Sequence, residues 1–302
     1  MILLELTTEK KMGSPPRRSP WIPGIVGLML ILLFTSYAAD EKAAEPKVLD
    51  RSVLIPAEPD RDWVGRGRLL ERADGTWLYL YVHGNHHSNR DTTKRVHIRF
   101  STDQGRTWTA EDTVPDGTDV EGMPRTSPDD PPTEYGEVGL IQCPNGDLLA
   151  LHRQLGSDRR PKKRLGENLL RSTDGGYSWK SEGIVMNEPN IRYALDHCSV
   201  GKTILTPYIQ GKGVILLASR DNGRTWQKRS TIGDEKAGAN ETGIVHLGGQ
   251  RLMVVCRTYA ERTTIQRYSD DLGRTWGPWR DVTDQVAVVQ QPRLRRFASQ
   301  PN

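Results

Sequence analysis

The amino-acid sequence predicts an all-β repeat protein. Three observations predict it: one eight-residue pattern that occurs four times, a hairpin signal ahead of each copy, and almost no helical periodicity. The copies are Ser101–Trp108, Ser172–Trp179, Ser219–Trp226 and Ser269–Trp276, and they share S-x-D-x-G-x-[ST]-W. Counted from Asp to Asp, the spacings are 71, 47 and 50 residues. Self-similarity at such a period marks a chain built from stacked supersecondary units, each too small to bury its own apolar face.

Each copy reads as a tight turn between two strands. The Asp can accept hydrogen bonds from the backbone N–H groups that follow it. The Gly two positions later suits a backbone with φ > 0, which other residues adopt at a cost. The hydroxyls can cap further turn amides, and the Trp is a large, mostly apolar side chain suited to packing between neighbouring strands. These are structural roles, so the pattern speaks to fold far more than to chemistry.

Ahead of each copy stands a hairpin. Leu69-Leu70, Asp74-Gly75 and Trp77–Val82 read as strand, turn and strand. An Asp-Gly or Asn-Gly pair between apolar runs is a strong hairpin signal. Val138–Ile141, Asn145-Gly146 and Leu148–Leu151 repeat it, as do Ile244–Leu247, Gly248-Gly249 and Leu252–Cys256, with a weaker version over His197–Tyr208. The first unit carries an insertion over Pro115–Glu134, rich in Pro, Asp and Gly, of the kind that forms a long surface loop. A basic stretch, Arg159–Arg164, reads as a solvated hairpin tip.

The repeat pattern resembles the Asp-box, or bacterial neuraminidase repeat, of sialidases, other propeller glycosidases and sortilin-type receptors. There it sits on the turn between the third and fourth strands of a four-stranded blade. The resemblance implies a β-propeller, a fold that closes on itself to hide strand edges and has typically four to eight blades. Sialidase-type propellers have six. This chain supplies four clear units and the opening of a fifth, a strand-like piece from Val286 through Leu294. The expectation is a six-bladed sialidase-type propeller that is incomplete, with about four to five blades present over residues 63–302.

The N-terminus reads differently. Lys10, Lys11, Arg17 and Arg18 precede an apolar run from Ile22 to Phe34 and then Ser36-Tyr37-Ala38. That is the pattern of a secretory signal peptide over residues 1–38. The apolar run is short for a membrane-spanning helix, which needs about 20 residues. The expected location is therefore secreted or periplasmic, with no stable membrane span after cleavage; an uncleaved N-terminal anchor is the alternative. Residues 39–62 read as a linker or closing strand. The formal net charge is +4, of which the leader carries about half, so the rest is too near neutral for nucleic acid to be the main partner. Cys143, Cys198 and Cys256 are sparse and odd in number. Buried, inert thiols are the expected state, with one disulfide plus a free thiol as the alternative.

The best candidate chemistry lies in the last hairpin. Glu241 and Arg257 are sixteen residues apart across it, so they return to the same end of one unit. A carboxylate beside a guanidinium suits recognition of a polar, anionic ligand. Glu137 and Arg153 repeat the spacing, which leaves open a structural ion pair common to the units. His83, His86 and His87 stand at a strand end and loop rather than at helical spacing, so neither a metal nor another cofactor is expected.

The segment Ala239–Arg257 is similar to the sialidase segment that bears the catalytic Glu and the second arginine of an arginine triad. The resemblance implies Glu241 as general base and Arg257 as a substrate-binding clamp on a carboxylate. Arg66-Gly67-Arg68-Leu69-Leu70 stands where sialidases have an Arg-Ile-Pro motif, which makes Arg66 the candidate first arginine, with Arg68 the alternative. Asp91 lies ten residues before Ser101, where the family has its acid/base Asp. The family's third arginine and its nucleophilic Tyr find no motif here; Arg293, Arg295 and Arg296 are placed late enough to be considered. The chemistry fits the residue types. Sialic acid carries a carboxylate on its anomeric carbon, which arginines can fix bidentately and which would repel a carboxylate nucleophile. The implied activity is exo-acting removal of terminal sialic acid, or a related anionic sugar, from glycans. The alternatives are a non-catalytic propeller that binds a glycan or protein, and a truncated, inactive sialidase homologue.

Overall fold

The computed structural model describes residues 2–4, 63–84, 95–109, 134–155, 164–186, 191–193, 196–259 and 262–296; at the ends of several strands it describes the backbone alone. Within them lie eighteen strands and one short helix. In chain order the strands are β1 (Ile2–Leu4), β2 (Trp63–Glu71), β3 (Trp77–Gly84), β4 (Arg95–Ser101), β5 (Glu134–Gln142), β6 (Leu148–Leu155), β7 (Arg164–Ser172), β8 (Lys180–Met186), β9 (Ile191–Tyr193), β10 (Cys198–Val200), β11 (Thr203–Gln210), β12 (Gly213–Ser219), β13 (Gln227–Gly233), β14 (Ala239–Gly248), β15 (Arg251–Thr258), β16 (Thr264–Ser269), β17 (Arg280–Asp281) and β18 (Leu294–Arg296). The helix α1 spans Thr283–Val286.

The strands form four antiparallel meanders: β2-β3-β4, β5-β6-β7-β8, β10-β11-β12-β13 with β9 also on β11, and β14-β15-β16-β17. Each is one blade of a β-propeller. Among the described residues four blades are present, as the repeat count predicts. The predicted hairpins stand as β2–β3, β5–β6, β10–β11 and β14–β15, with Gly75, Gly146, Gly201 and Gly249 at positive φ in their turns.

Alternation along the strands places one apolar face of each blade against the next. Leu78, Leu80, Val82, Ile98 and Phe100 of the first blade pack on Leu140, Leu148, Ala150 and Leu170 of the second. Ile141, Leu149, Leu151 and Leu169 pack on Ile204, Tyr208, Ile215 and Leu217 of the third. Leu205, Ile209, Val214 and Leu216 pack on Ile244, Leu252, Val254 and Cys256 of the fourth. The far face of the fourth blade, Val245, Met253 and Val255, is covered by Val289 and Leu294. Burial of such apolar area drives the stacking, at roughly 25 cal/mol per Å².

The four repeat turns share one set of bonds. In the first, Ser101 Oγ donates to Asp103 Oδ1 (2.8 Å) and accepts from the Gly105 N–H (2.8 Å). Thr107 N–H donates to Asp103 Oδ1 (2.8 Å) and its hydroxyl to Oδ2 (2.6 Å). The same bonds recur at Asp174, Asp221 and Asp271. The glycine is left-handed as expected, and so is the residue before it: Gln104, Asn222 and Leu272 have φ of 60, 58 and 56°. The glycines do a second job. A Cβ at Gly176, Gly223 or Gly273 would fall 2.6, 2.3 or 2.4 Å from a methyl of Leu78, Leu149 or Leu216, each on the preceding blade.

The tail departs from expectation. In place of a strand from Val286 there is the turn of α1, then an irregular crossing, and only Leu294–Arg296 is strand, paired with β1. Ala287 and Gln291 are left-handed, at φ of 60 and 49°, and Pro292 has no N–H to give a ladder. No helix among the described residues is long and apolar enough to cross a membrane. The expected leader and linker, the Pro115–Glu134 insertion and the Arg159–Arg164 stretch lie outside the described residues, apart from Ile2–Leu4 and the backbones of Glu134 and Arg164.

Candidate functional site

At the end of each blade away from the repeat turns, the inner strand is irregular. Pairing of β2 with β3 shifts register between Gly65 and Arg68, that of β5 with β6 between Tyr135 and Val138, and that of β14 with β15 between Ala239 and Thr242. The two residues inside each shift are Arg66-Gly67, Gly136-Glu137 and Asn240-Glu241. Arg66 and Glu241, singled out separately in the sequence, thus occupy the same kind of bulge on different blades. Bulges re-aim side chains and are over-represented beside active sites. The third blade goes further: its inner strand is split into β9 and β10, and Asp196 and His197 enter at the break.

Local sequence explains the bulges. Gly67 is needed because any Cβ there would fall 2.0 Å from Tyr79 Oη. In β14, Thr242 Oγ1 donates to the Asn240 carbonyl (2.7 Å), closing the bulge from within. Gly243 lets the tail cross: its Cβ would meet the Pro292 carbonyl oxygen at 2.7 Å.

Glu241 and Arg257 face each other across this bulge. Arg257 Nη1 lies 3.4 Å from Glu241 Oε2, and the two side chains are 24% and 15% exposed. That is long for a charge-assisted bond, which is typically about 2.7–2.9 Å. Arg257 Nε is buried with no hydrogen-bond partner among the described residues. The Gln291 N–H donates to the same Oε2 at 3.0 Å. Oε1 of Glu241 takes no partner among the described residues. Glu241 is therefore held at one carboxylate oxygen from two sides and, among the described residues, not at the other.

A second cluster stands beside it. Asp196 is fully buried, and its carboxylate accepts from the Ile244 N–H (3.0 Å), the Leu294 N–H (3.1 Å) and Arg295 Nη1 (2.9 Å), tying the third blade, the fourth blade and the tail together. Desolvation pushes His197 down to about 3, helped by the charges of Arg295, Arg293 and Arg68 and opposed by Asp196. His197 is thus a neutral imidazole among cations. Of the two candidate first arginines, Arg68 is the one whose side chain is described: it is buried, and its charge reaches His197 from the first blade.

Some sequence expectations fall where the structure does not speak. Asp91 lies outside the described residues, and Arg66, Glu137 and Arg153 are described by backbone only. The three cysteines are free; Cys143 and Cys256 are buried between blades, and burial pushes their thiols up to about 11 and about 12. Among the described residues no group of His, Cys, Asp and Glu is placed to hold a metal, and His83 is buried against Tyr81 and His97. Sequence reasoning missed Asp196, His197 and Gln291. The signal for the first two was the weakness of the hairpin pattern over His197–Tyr208, which is the trace of the broken inner strand.

Residues 162–294 match the model of the BNR repeat-like domain family. No curated protein sequence matches the chain. Among solved structures, a protein of unknown function from Dyadobacter fermentans is similar at 19% identity and a TM-score of 0.55, over 72% of this chain and 69% of that one. A point mutant of the NanB sialidase from Streptococcus pneumoniae is similar at 12% identity and a TM-score of 0.60, over 80% of this chain. This chain spans 55% of that sialidase's length. An α-L-arabinanase from Penicillium chrysogenum is similar at 14% identity and a TM-score of 0.51, over 72% of this chain and 66% of that one. At these identities the likeness is one of fold. Together with the four repeat turns, it makes the chain a β-propeller, within which residues 162–294 match a BNR repeat-like domain.

Proposed function

We propose that the protein is an exo-acting glycoside hydrolase of the sialidase type that removes a terminal sialic acid, or another sugar bearing a carboxylate, from glycans after export across the membrane. The observation that carries this reading is the Glu241–Arg257 pair at the β14 bulge, with Glu241 Oε2 held and Oε1 open. Arg257 clamps the sugar carboxylate, since a guanidinium is planar and suited to binding a planar anion. Arg66, at the matching bulge of the first blade, supplies a second clamp, and Arg68 adds positive potential nearby. Glu241 takes the proton of the attacking O–H group and Asp91 gives one to the leaving oxygen. In net balance the glycosidic C–O bond breaks, the aglycone leaves as an alcohol, and the anomeric carbon ends with the hydroxyl of water. No cofactor is needed for this chemistry.

A second reading, a propeller that binds a glycan or protein without cleaving it, draws on Glu241 itself. Its partners among the described residues are Arg257 and the Gln291 N–H, with no phenol beside it. The arabinanase likeness adds that this fold is not tied to one sugar.

The test is turnover of a fluorogenic sialoside by the full chain, with a uronide and an arabinofuranoside as comparisons. Hydrolysis of the sialoside lost in Glu241→Ala and in Arg257→Ala supports the proposal. Saturable glycan binding without turnover supports the second reading. Turnover of the arabinofuranoside alone removes the carboxylate clamp from the account.

A further inference from the structure

The tail between Ala287 and Leu294 carries two features that folding alone does not call for. Gln291 sits at a φ of 49°, a region that costs a side-chain-bearing residue free energy and where glycine is the usual choice. It is also 94% buried, with its side-chain Oε1 lacking a hydrogen-bond partner among the described residues. Strained backbone persists where its surroundings over-determine it, and such residues gather at active sites.

The surroundings do over-determine it. Upstream, Thr264 Oγ1 donates to the Ala287 carbonyl (2.7 Å) and accepts from the Val289 N–H (3.0 Å). Downstream, Pro292 is pressed on Gly243, and the Leu294 N–H is bonded to buried Asp196. Between these anchors the chain turns left-handed at Gln291, and that turn delivers its N–H to Glu241 Oε2 at 3.0 Å.

We infer that Gln291 is the positioning residue of Glu241: its backbone N–H fixes one carboxylate oxygen so that the other is left to accept a proton. The inference rests on the reading of Glu241 as the base. Oε2 already takes the N–H and Arg257 Nη1. Proton acceptance at Oε1 leaves both of those bonds intact, so the carboxyl need not rotate during the transfer. The tail is thereby part of the site, and the side chain of Gln291 is secondary to its backbone.

The experiment reads the N–H itself. In the isotope-labelled full chain, the Gln291 amide proton is followed by NMR across the carboxylate range, beside the Glu241 carboxyl carbon. The expected result is one shared midpoint, lost in Glu241→Gln. An amide resonance that stays flat, or moves the same way in Glu241→Gln, overturns the inference. Kinetics form the second arm. Gln291→Pro deletes the N–H and also forces φ from 49° to about −65°, so kcat should fall about tenfold or more with KM little changed, because misplacement of a catalytic group is felt in the chemical step. Gln291→Gly keeps the N–H and relaxes φ, and should lose far less of kcat than Gln291→Pro. Equal losses in the two variants overturn the inference. If Gln291→Pro does not fold, the amide titration decides. A wild type that cleaves no glycoside while its Gln291 amide tracks Glu241 overturns the hydrolase reading and leaves the positioning intact.

Discussion

The two ends of each blade are built on different principles. At the repeat-turn end, the serine hydroxyl and the Asp carboxylate of each turn find their partners within four residues: Ser101, Asp103, Gly105 and Thr107 close one network, and the other three turns copy it. At the bulge end, the partners come from far away. Gln291 reaches Glu241 across 50 residues, and Leu294 reaches Asp196 across 98. One end repeats from blade to blade; the other differs and keeps a carboxylate oxygen of Glu241 without a partner among the described residues. A propeller can thus hold its shape at one rim and vary its chemistry at the other.

The comparison would break if the two rims failed to separate activity from stability. Glu241→Ala should lower kcat by about 10²–10⁴, the usual worth of a positioned acid or base. Its thermal midpoint should fall only modestly, because the carboxylate and Arg257 are both partly solvated. Removing a turn carboxylate, as in Asp221→Ala, should do the reverse: it takes away the acceptor of the Thr225 N–H and hydroxyl, lowering the midpoint while kcat holds. Paired melting and turnover assays check both. A melting loss in Glu241→Ala as large as that in Asp221→Ala would make the pair structural, as the recurring Glu137–Arg153 spacing allows.

Asp196 tests whether the bulge end has a structural centre of its own. Asp196→Ala strands two buried N–H donors and the Arg295 guanidinium at the junction of two blades and the tail. Arg295 is 41% exposed and can turn to water, so the cost falls on the two buried N–H donors, at about 1–3 kcal/mol each. Urea unfolding should show a large fall in midpoint, with Asp196→Asn intermediate. A change within about 0.5 kcal/mol, the range of ordinary surface substitutions, would show that the tail is held by its apolar contacts alone.

How much could be read in advance follows the same division. The four turns were legible because each is a local device: Asp, Gly, hydroxyl and Trp at fixed offsets imply their own hydrogen bonds. The hairpins were legible because Asp74-Gly75 and Asn145-Gly146 sit between alternating apolar runs. Glu241 and Arg257 were legible because a hairpin brings its two ends together whatever surrounds it. Asp196, His197 and Gln291 were not. Asp196 is defined by N–H groups 48 and 98 residues away, and nothing local marks a buried acceptor. The tail read as a strand from Val286 because its apolar residues, Val286, Val289 and Leu294, do cover the fourth blade; Ala287 and Gln291 turn left-handed to do so.

The glycines grade the turn end. Gly176→Ala must hold a Cβ at φ 101° and 2.6 Å from Leu78, which is itself fully buried. Strain and overpacking together should cost about 2–3 kcal/mol. Gly249→Ala, at φ 55° with nothing within 4 Å, meets the backbone cost alone, about 1 kcal/mol. Chemical denaturation of the two variants side by side should give that order. Equal losses would mean that the repeat glycines serve their turns and not the joint between blades.

Acid should take the two ends apart in sequence. Hydrogen bonds from Thr107, above all its hydroxyl, hold Asp103 down at about 2; against the upward push of desolvation, the largest single cause at Asp174, the bonds led by those from Ser178 and Thr225 hold Asp174 and Asp221 at about 2 as well. These are depressed carboxylates. Their contribution is fully present above the unfolded value of about 3.9 and is lost as the pH falls from near that value toward 2. His197 has the same direction of shift but the opposite charge logic. Its folded value lies near 3 and its unfolded value near 6.5, so the unfolded chain binds the extra proton first. Stability should therefore begin to fall just below pH 6.5, by at most about 1.4 kcal/mol per pH unit for the one imidazole, and the turn carboxylates should add their loss only below about pH 5. Urea midpoints from pH 7.5 to 3 should show the upper phase in the wild type and lose it in His197→Gln, while Asp174→Asn should soften the lower phase alone. An upper phase that survives His197→Gln would place the titrating group elsewhere and remove the neutral imidazole from among Arg68, Arg293 and Arg295.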